Sequence, residues 1–279
     1  MFYFKREDLQ RRAKELKEDW EQAQPYRHVV IDDFLPEKVA KEIGDAFPKL
    51  NDIDWRLVGP GDSKHTHDEN VEKVSCPDEQ QFPDQIRQLV HTLQSGIFLR
   101  FLEELTGFEH LSPDPHHFGG GLHSTGNGGR LMVHVDASRH PNKDYQQIAN
   151  LIYYCTPDWD ESYGGHLELW DKKTKSCTKK VLPKFNRAVL FYTGKESLHG
   201  QPNPVTAPAG MRRNSIALYF YSTKSNQSDL EYTNFVQWHH VTEHDKRSPM
   251  HIVKAAVRNY LPSSAVNKIA SNVRKLTGK

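Results

Sequence analysis

The chain has 279 residues, 36% hydrophobic and 26% charged, which suits a globular protein with an ample core. Its 37 basic and 36 acidic residues leave a net charge of +1, so no charge excess points to nucleic acid or an acidic membrane surface. The N-terminus MFYFKREDLQRR has no apolar run suited to a signal peptide or membrane span. The three scattered cysteines (Cys76, Cys155, Cys177) indicate neither a disulfide framework nor a zinc knuckle, so a cytoplasmic location is expected.

Residues 6–23 combine high helix propensity with dense charge and predict an amphipathic surface helix. HVVIDDF at 28–34 predicts a strand, and Pro36 suits the first turn of a helix running to about Ala46. Residues 51–83 are polar and irregular and predict a long loop. Between Asp84 and Leu105 the apolar residues fall at helical spacing, with Ser95–Gly96 as a break between two helices. Residues 112–129, rich in Gly, Pro and His, predict a second loop. The pattern then turns strand-like at 130–137, 148–156, 165–171, 178–182, 187–193 and 214–222, separated by Pro, Gly and Asp turns. Short strands with such turns argue for a sandwich or barrel. The segment 224–248 is polar with aromatic residues at Tyr232, Phe235 and Trp238, and two helices, 249–260 and 263–276, close the chain.

The chemistry concentrates in RLMVHVD, 130–136. Side chains two apart on a strand share a face. Met132, His134 and Asp136 therefore point one way, and Leu131, Val133 and Val135 the other. An imidazole and a carboxylate on one rigid support, joined by a distant histidine, make the facial triad of non-haem Fe(II) oxygenases. His199, after the strand AVLFYTG, is the candidate third ligand. Farther on, RNSIALYFY puts Arg213, Ser215 and Ala217 on one face and Ile216, Leu218 and Phe220 on the other. A guanidinium and a hydroxyl aimed inward together suit a carboxylate.

In these parts the sequence resembles the Fe(II)/2-oxoglutarate-dependent dioxygenases, specifically the prolyl-4-hydroxylase-like group. The match covers roughly 119–222: HVD, NLIYY, GGHLELWD, PKFNRAVLFY, His199 and Arg213-Asn214-Ser215 in order, and more loosely HVVIDDFLP at 28–36. The resemblance implies a mainly β fold with flanking helices and a double-stranded β-helix core of the jelly-roll, cupin-like kind. The expected organisation is an N-terminal helical and strand segment (1–111) packed on the catalytic core (112–223), then a C-terminal helical extension (224–279). It also implies His134, Asp136 and His199 as metal ligands. Arg213, supported by Ser215 and Tyr154, would bind the far carboxylate of 2-oxoglutarate, with Leu167 as an apolar wall. His123 and Arg139 are candidate substrate contacts. The cofactor set is Fe(II) and O2 with 2-oxoglutarate as cosubstrate, and ascorbate as an optional addition. The implied reaction hydroxylates a C–H bond and releases succinate and CO2. Asp136 favours hydroxylation over halogenation, because halogenating relatives lack that carboxylate.

The segment GQPNPVTAPAG (200–210) leaves the register of Arg213 open, with Arg212 on the opposite face as the other choice. The charged loop SRHPNKDYQQ (138–147) carries Arg139, His140 and Lys143 and suggests a polar small molecule or glycan as substrate. A prolyl or other protein residue is the alternative. A metal- or sugar-binding module without redox chemistry and a water-activating hydrolase are the rival classes. His65, His67 and Glu69 alternate in a way that could bind a second metal but read as a solvated loop, and His116–His117 and His239–His240 as loop or surface residues unless they line the substrate mouth.

Overall fold

The period-two patterning resolves into two antiparallel sheets. A computed structural model describes residues 3–58, 65–66, 72–141, 145–222, 236–239 and 241–242, and all of these but Thr242 belong to one unit, Met1–Val241. The expected helices at 249–260 and 263–276 lie outside the described residues, as do Tyr232, Phe235, His67, Glu69 and His240.

The larger sheet runs β1 (His28–Ile31), β11 (Ala188–Tyr192), β8 (Gln146–Tyr154), β13 (Arg213–Ser222), β6 (Gly121–Thr125), β4 (Lys73–Cys76), β2 (Trp55–Leu57), β3 (His65–Thr66), with β5 (Leu111–Pro113) also on β13. The smaller runs β10 (Ser176–Val181), β9 (Leu167–Asp171), β12 (Leu198–Gln201), β7 (Leu131–Val135), β14 (Gln237–Trp238). This is the double-stranded β-helix.

Four helices cover the outer face of the larger sheet: α1 (Arg6–Gln22), α2 (Glu37–Asp45), α3 (Asp84–Leu93) and α4 (Gly96–Thr106). Helix α1 is dominated by charged residues, and its buried Leu9, Ala13 and Trp20, with partly buried Leu16, fall along one stripe, as helical periodicity requires. Ser95 both ends α3 and caps α4, accepting a hydrogen bond from Phe98 N at 3.5 Å. The outward residues of the larger sheet, among them Leu151, Tyr153, Leu190, Ile216, Leu218 and Phe220, share one core with Phe34, Ile86 and Phe98. Burying each such side chain contributes roughly 1.5–3 kcal/mol. Their inward neighbours Tyr154, Val189 and Phe191 meet Leu167, Leu169 and Val181 of the smaller sheet.

The structure corrects two expectations. Residues 51–83 are not one loop, because β2, β3 and β4 extend the larger sheet there, and 112–129 contains β6. The glycines that mark 119–121 as a loop are there for close approach. A Cβ on Gly121 would stand 2.3 Å from Cys76 O, and one on Gly120 2.6 Å from Ala217 O. No helix among the described residues is long and apolar enough to cross a membrane.

Candidate active site

His134 on β7 lies directly opposite His199 on β12. Opposed residues on adjacent strands project to one face, and here that face is the interior: the His199 ring lies 4.7 Å from Phe191 of the other sheet and 4.4 Å from the His134 ring. Asp136 follows the end of β7. Its Oδ1 is 3.4 Å from His134 Nε2 and its Oδ2 3.5 Å from His199 Nε2. All three residues are buried, and their ligand atoms lie within 4.8 Å of one another, so the group could hold a metal ion.

Each histidine is oriented by a carbonyl two residues before it in the chain. Nδ1 of His134 lies 2.8 Å from Met132 O, and Nδ1 of His199 lies 2.9 Å from Ser197 O. A carbonyl partner requires Nδ1 to carry the proton, which leaves the Nε2 lone pair for a metal. Burial lowers His199 to about 4 against the pull of Asp136, so it is neutral at pH 7. Burial alone would raise the Asp136 carboxyl, but His199, His134 and a hydrogen bond from Asn150 hold it at about 2. Gln147 Nε2 and Tyr219 OH also reach its two oxygens, at 3.3 and 3.4 Å, and Tyr221 OH donates to Gln147 Oε1 at 3.3 Å.

The second half of the site is built in rows across the larger sheet. Ser215 is opposite Tyr154 on one side and His123 on the other. Arg213, one row along, donates from Nη2 to Tyr154 OH at 3.1 Å, with its guanidinium carbon 4.8 Å from the centre of that ring. Leu167 packs against Tyr154. Gly165 makes room for this arginine: its φ is +72°, and a Cβ there would stand 3.0 Å from Arg213 Cδ. Arg212 is turned away from this row, donating to Ser124 Oγ and O at 2.8 and 3.2 Å, while Arg213 faces Tyr154.

Arg213 is only 6% exposed and its Nε has no hydrogen-bond partner. In the same row Thr125 Oγ1 is buried without a partner among the described residues, and beyond it Lys73 is 8% exposed. The unpartnered Arg213 Nε and Thr125 Oγ1, with the Lys73 cation beside them, are what an anionic cosubstrate would satisfy, so the residues fit 2-oxoglutarate. His123 lies one row over, where burial, with Lys73 and Arg213, lowers it to about 3.

Arg139 is half-buried and bridges to Gln146 at the start of β8. His140 is not a free substrate contact: it is buried against Tyr221 and Phe118, with Nε2 3.4 Å from Asp114. His117 is likewise buried, against Phe82, rather than at the surface. Lys143 lies outside the described residues. Sequence reasoning missed Lys73, Thr125, Gln147, Asn150, Tyr219 and Trp238. Strand parity from Ser215 through Ala217 reaches Tyr219, and parity from Tyr154 reaches Asn150. Lys73 and Thr125 were hidden in stretches read as loops. Trp238 pairs with His134 across β14 and β7, its ring 4.9 Å from the imidazole and 41% exposed.

Residues 120–221 match the model of the 2OG-Fe(II) oxygenase superfamily. No curated protein matches the sequence. Among solved structures, the chain is similar to a prolyl hydroxylase from Trichoplax adhaerens in complex with a hypoxia inducible factor oxygen degradation domain peptide, with TM-score 0.54 and 14% identity over 77% of this chain and 91% of that one. It is also similar to a prolyl 4-hydroxylase from Phytophthora capsici (TM-score 0.53, 20% identity, 84% and 72% covered). A Pseudomonas putida prolyl-4-hydroxylase gives TM-score 0.50 and 14% identity, with 75% and 98% covered. At these identities the structures establish the fold alone. The family match points to the chemistry, because its span takes in HVD, His199 and Arg213 on their strands: residues 120–221 carry the pattern of the 2OG-Fe(II) oxygenase superfamily, and the residues of the site fit Fe(II) as cofactor and 2-oxoglutarate as cosubstrate.

Proposed function

We propose that the chain hydroxylates a C–H bond of a polar small molecule or glycan, consuming O2 and 2-oxoglutarate and releasing succinate and CO2. The observation that carries this reading is one interior holding both a two-histidine, one-carboxylate triad and a buried Arg213 that has no carboxylate partner among the described residues. His134, Asp136 and His199 would hold the ion and leave its remaining positions open, as oxygenase chemistry requires. Fe(II) bound there supplies the O2-dependent oxidation. Arg213, with Tyr154 OH and Ser215, would orient the cosubstrate by its C5 carboxylate, through charge-assisted hydrogen bonds. Leu167 and Phe191 would keep water from the reacting centre. A simple binding module has no use for an arginine buried with no counter-ion among the described residues, which argues against that class.

For the substrate, the supporting feature is Trp238, an exposed flat apolar surface beside His134. It suits the C–H face of a sugar ring. The same surface would accept a pyrrolidine ring, and the fold shared with prolyl hydroxylases favours a prolyl residue in a protein as the second reading.

The test adds Fe(II), then 2-oxoglutarate, to the anaerobic protein and looks for the visible charge-transfer band of the chelate. Succinate release is then compared between glycans and proline-containing peptides. A band with glycan-stimulated succinate supports the first reading, and peptide-stimulated succinate the second. Tight metal binding with no band would sink both.

A further inference from the structure

Arg213 is not alone at its end of the pocket. Lys73 on β4 is opposite Thr125 on β6, and Thr125 is opposite Arg213 on β13. The three therefore form one row on one face of the sheet. Strands about 4.8 Å apart put the Lys73 and Arg213 backbones roughly 10 Å from each other, within reach of a common centre for two long side chains. Both are buried, at 8% and 6% exposure. Neither makes an ion pair with a carboxylate among the described residues, and Thr125 Oγ1 between them also lacks a partner.

Two buried like charges side by side are unfavourable, and a buried ammonium without a partner costs more than an apolar residue of the same length. Such an arrangement persists where a ligand completes it. The remaining neighbours do not relieve it: His123 is the imidazole of the next row, and Tyr154 offers a hydroxyl.

Resting on the oxygenase reading above, we propose that Lys73 is a second cosubstrate-anchoring cation, sharing the C5 carboxylate of 2-oxoglutarate with Arg213 across Thr125. Burial, then Arg213, lowers the Lys73 ammonium to about 7 in the free protein. A carboxylate in the row would favour its charged form. The pair also makes the site selective, because an oxoacid without a distal carboxylate leaves both cations unanswered.

The test compares wild type, Lys73→Met, Lys73→Gln and Lys73→Arg as full chains, loaded anaerobically with Fe(II). Affinities for 2-oxoglutarate and 2-oxobutyrate are read by calorimetry, and melting temperatures of the metal-free proteins are measured alongside. Loss of a charge-assisted hydrogen bond predicts binding of 2-oxoglutarate about tenfold or more weaker in the Met and Gln variants, with 2-oxobutyrate little changed and Lys73→Arg largely restored. The metal-free Met variant should melt a few degrees higher than wild type, because an uncompensated buried charge is gone. Unchanged 2-oxoglutarate binding, or an equal loss for both oxoacids, overturns the role of Lys73 and leaves the oxygenase reading standing. A wild type that binds metal but no 2-oxoglutarate removes that reading and Lys73's role with it.

Discussion

At the metal end, His134, His199 and Asp136 each have hydrogen-bond partners within the protein; at the cosubstrate end, Arg213 and Lys73 lie buried with no carboxylate beside them among the described residues. The first arrangement is set before any ligand arrives, since carbonyls two residues upstream fix both imidazoles. The second is left electrostatically open and is completed from outside. One end of the pocket is thus preorganised for geometry and the other for charge. Damage to the first should appear in metal binding, and damage to the second in 2-oxoglutarate binding alone.

Substitutions that strike one end only would test this division. The largest effect belongs to Asp136→Ala, which removes a ligand and its negative charge. Turnover should fall to background and Fe(II) affinity by more than about a hundredfold, since even supporting contacts to ligands cost 10–100-fold; turnover near the wild-type rate would break the assignment. Arg213→Ala comes next. Breaking a buried ion pair costs about 3–5 kcal/mol, so the 2-oxoglutarate dissociation constant should rise a hundredfold or more, while metal binding measured without cosubstrate stays as it was.

Gln147→Met tests the orientation of Asp136 and should weaken Fe(II) binding about tenfold, with the ratio of 2-oxoglutarate to 2-oxobutyrate affinities unmoved. Tyr154→Phe removes one hydroxyl from the opposite end. A net hydrogen bond of roughly 1 kcal/mol corresponds to about a fivefold weaker 2-oxoglutarate titration. The smallest effect concerns pH. His199 and His123 are held at about 4 and about 3, below their ordinary range. Between those values and about 6.5 the unfolded chain binds more protons than the folded one, so stability is lost as pH falls through that window. The metal-free protein should melt lower at pH 5 than at pH 7, and His123→Gln should lessen the drop.

Strands β7 and β13 were legible because each alternates with period two, whereas β12, which carries His199, is too short and too uniformly buried to show that alternation. Arg213 and Ser215 alternate with Ile216 and Leu218, and the structure sends the first pair inward and the second against the helices. Helix α4 was readable from Ser95 and its apolar spacing. Besides β12 and the two-residue β14, what escaped were β2 to β6, where glycine, proline and charge dominate. Gly120 and Gly121 satisfy steric demands of neighbouring strands, a tertiary requirement with no local signature. Lys73 and Thr125 were lost with those strands. Gln147 escaped for another reason: the pairing of β8 with β13 shifts register between Phe220 and Tyr221, so parity counted from Tyr154 fails to reach it.

The carbonyls that fix the two imidazoles lie two residues upstream of each, at Met132 and Ser197, on the same short stretches of chain. Each histidine thus brings its own tautomer control with it, whatever surrounds the strand. In evolutionary terms the ligand set is modular: two peptides of a few residues can keep their coordinating posture while walls, rims and loops around them diverge. A lineage built on such strands can explore new substrates without rediscovering how to hold its metal.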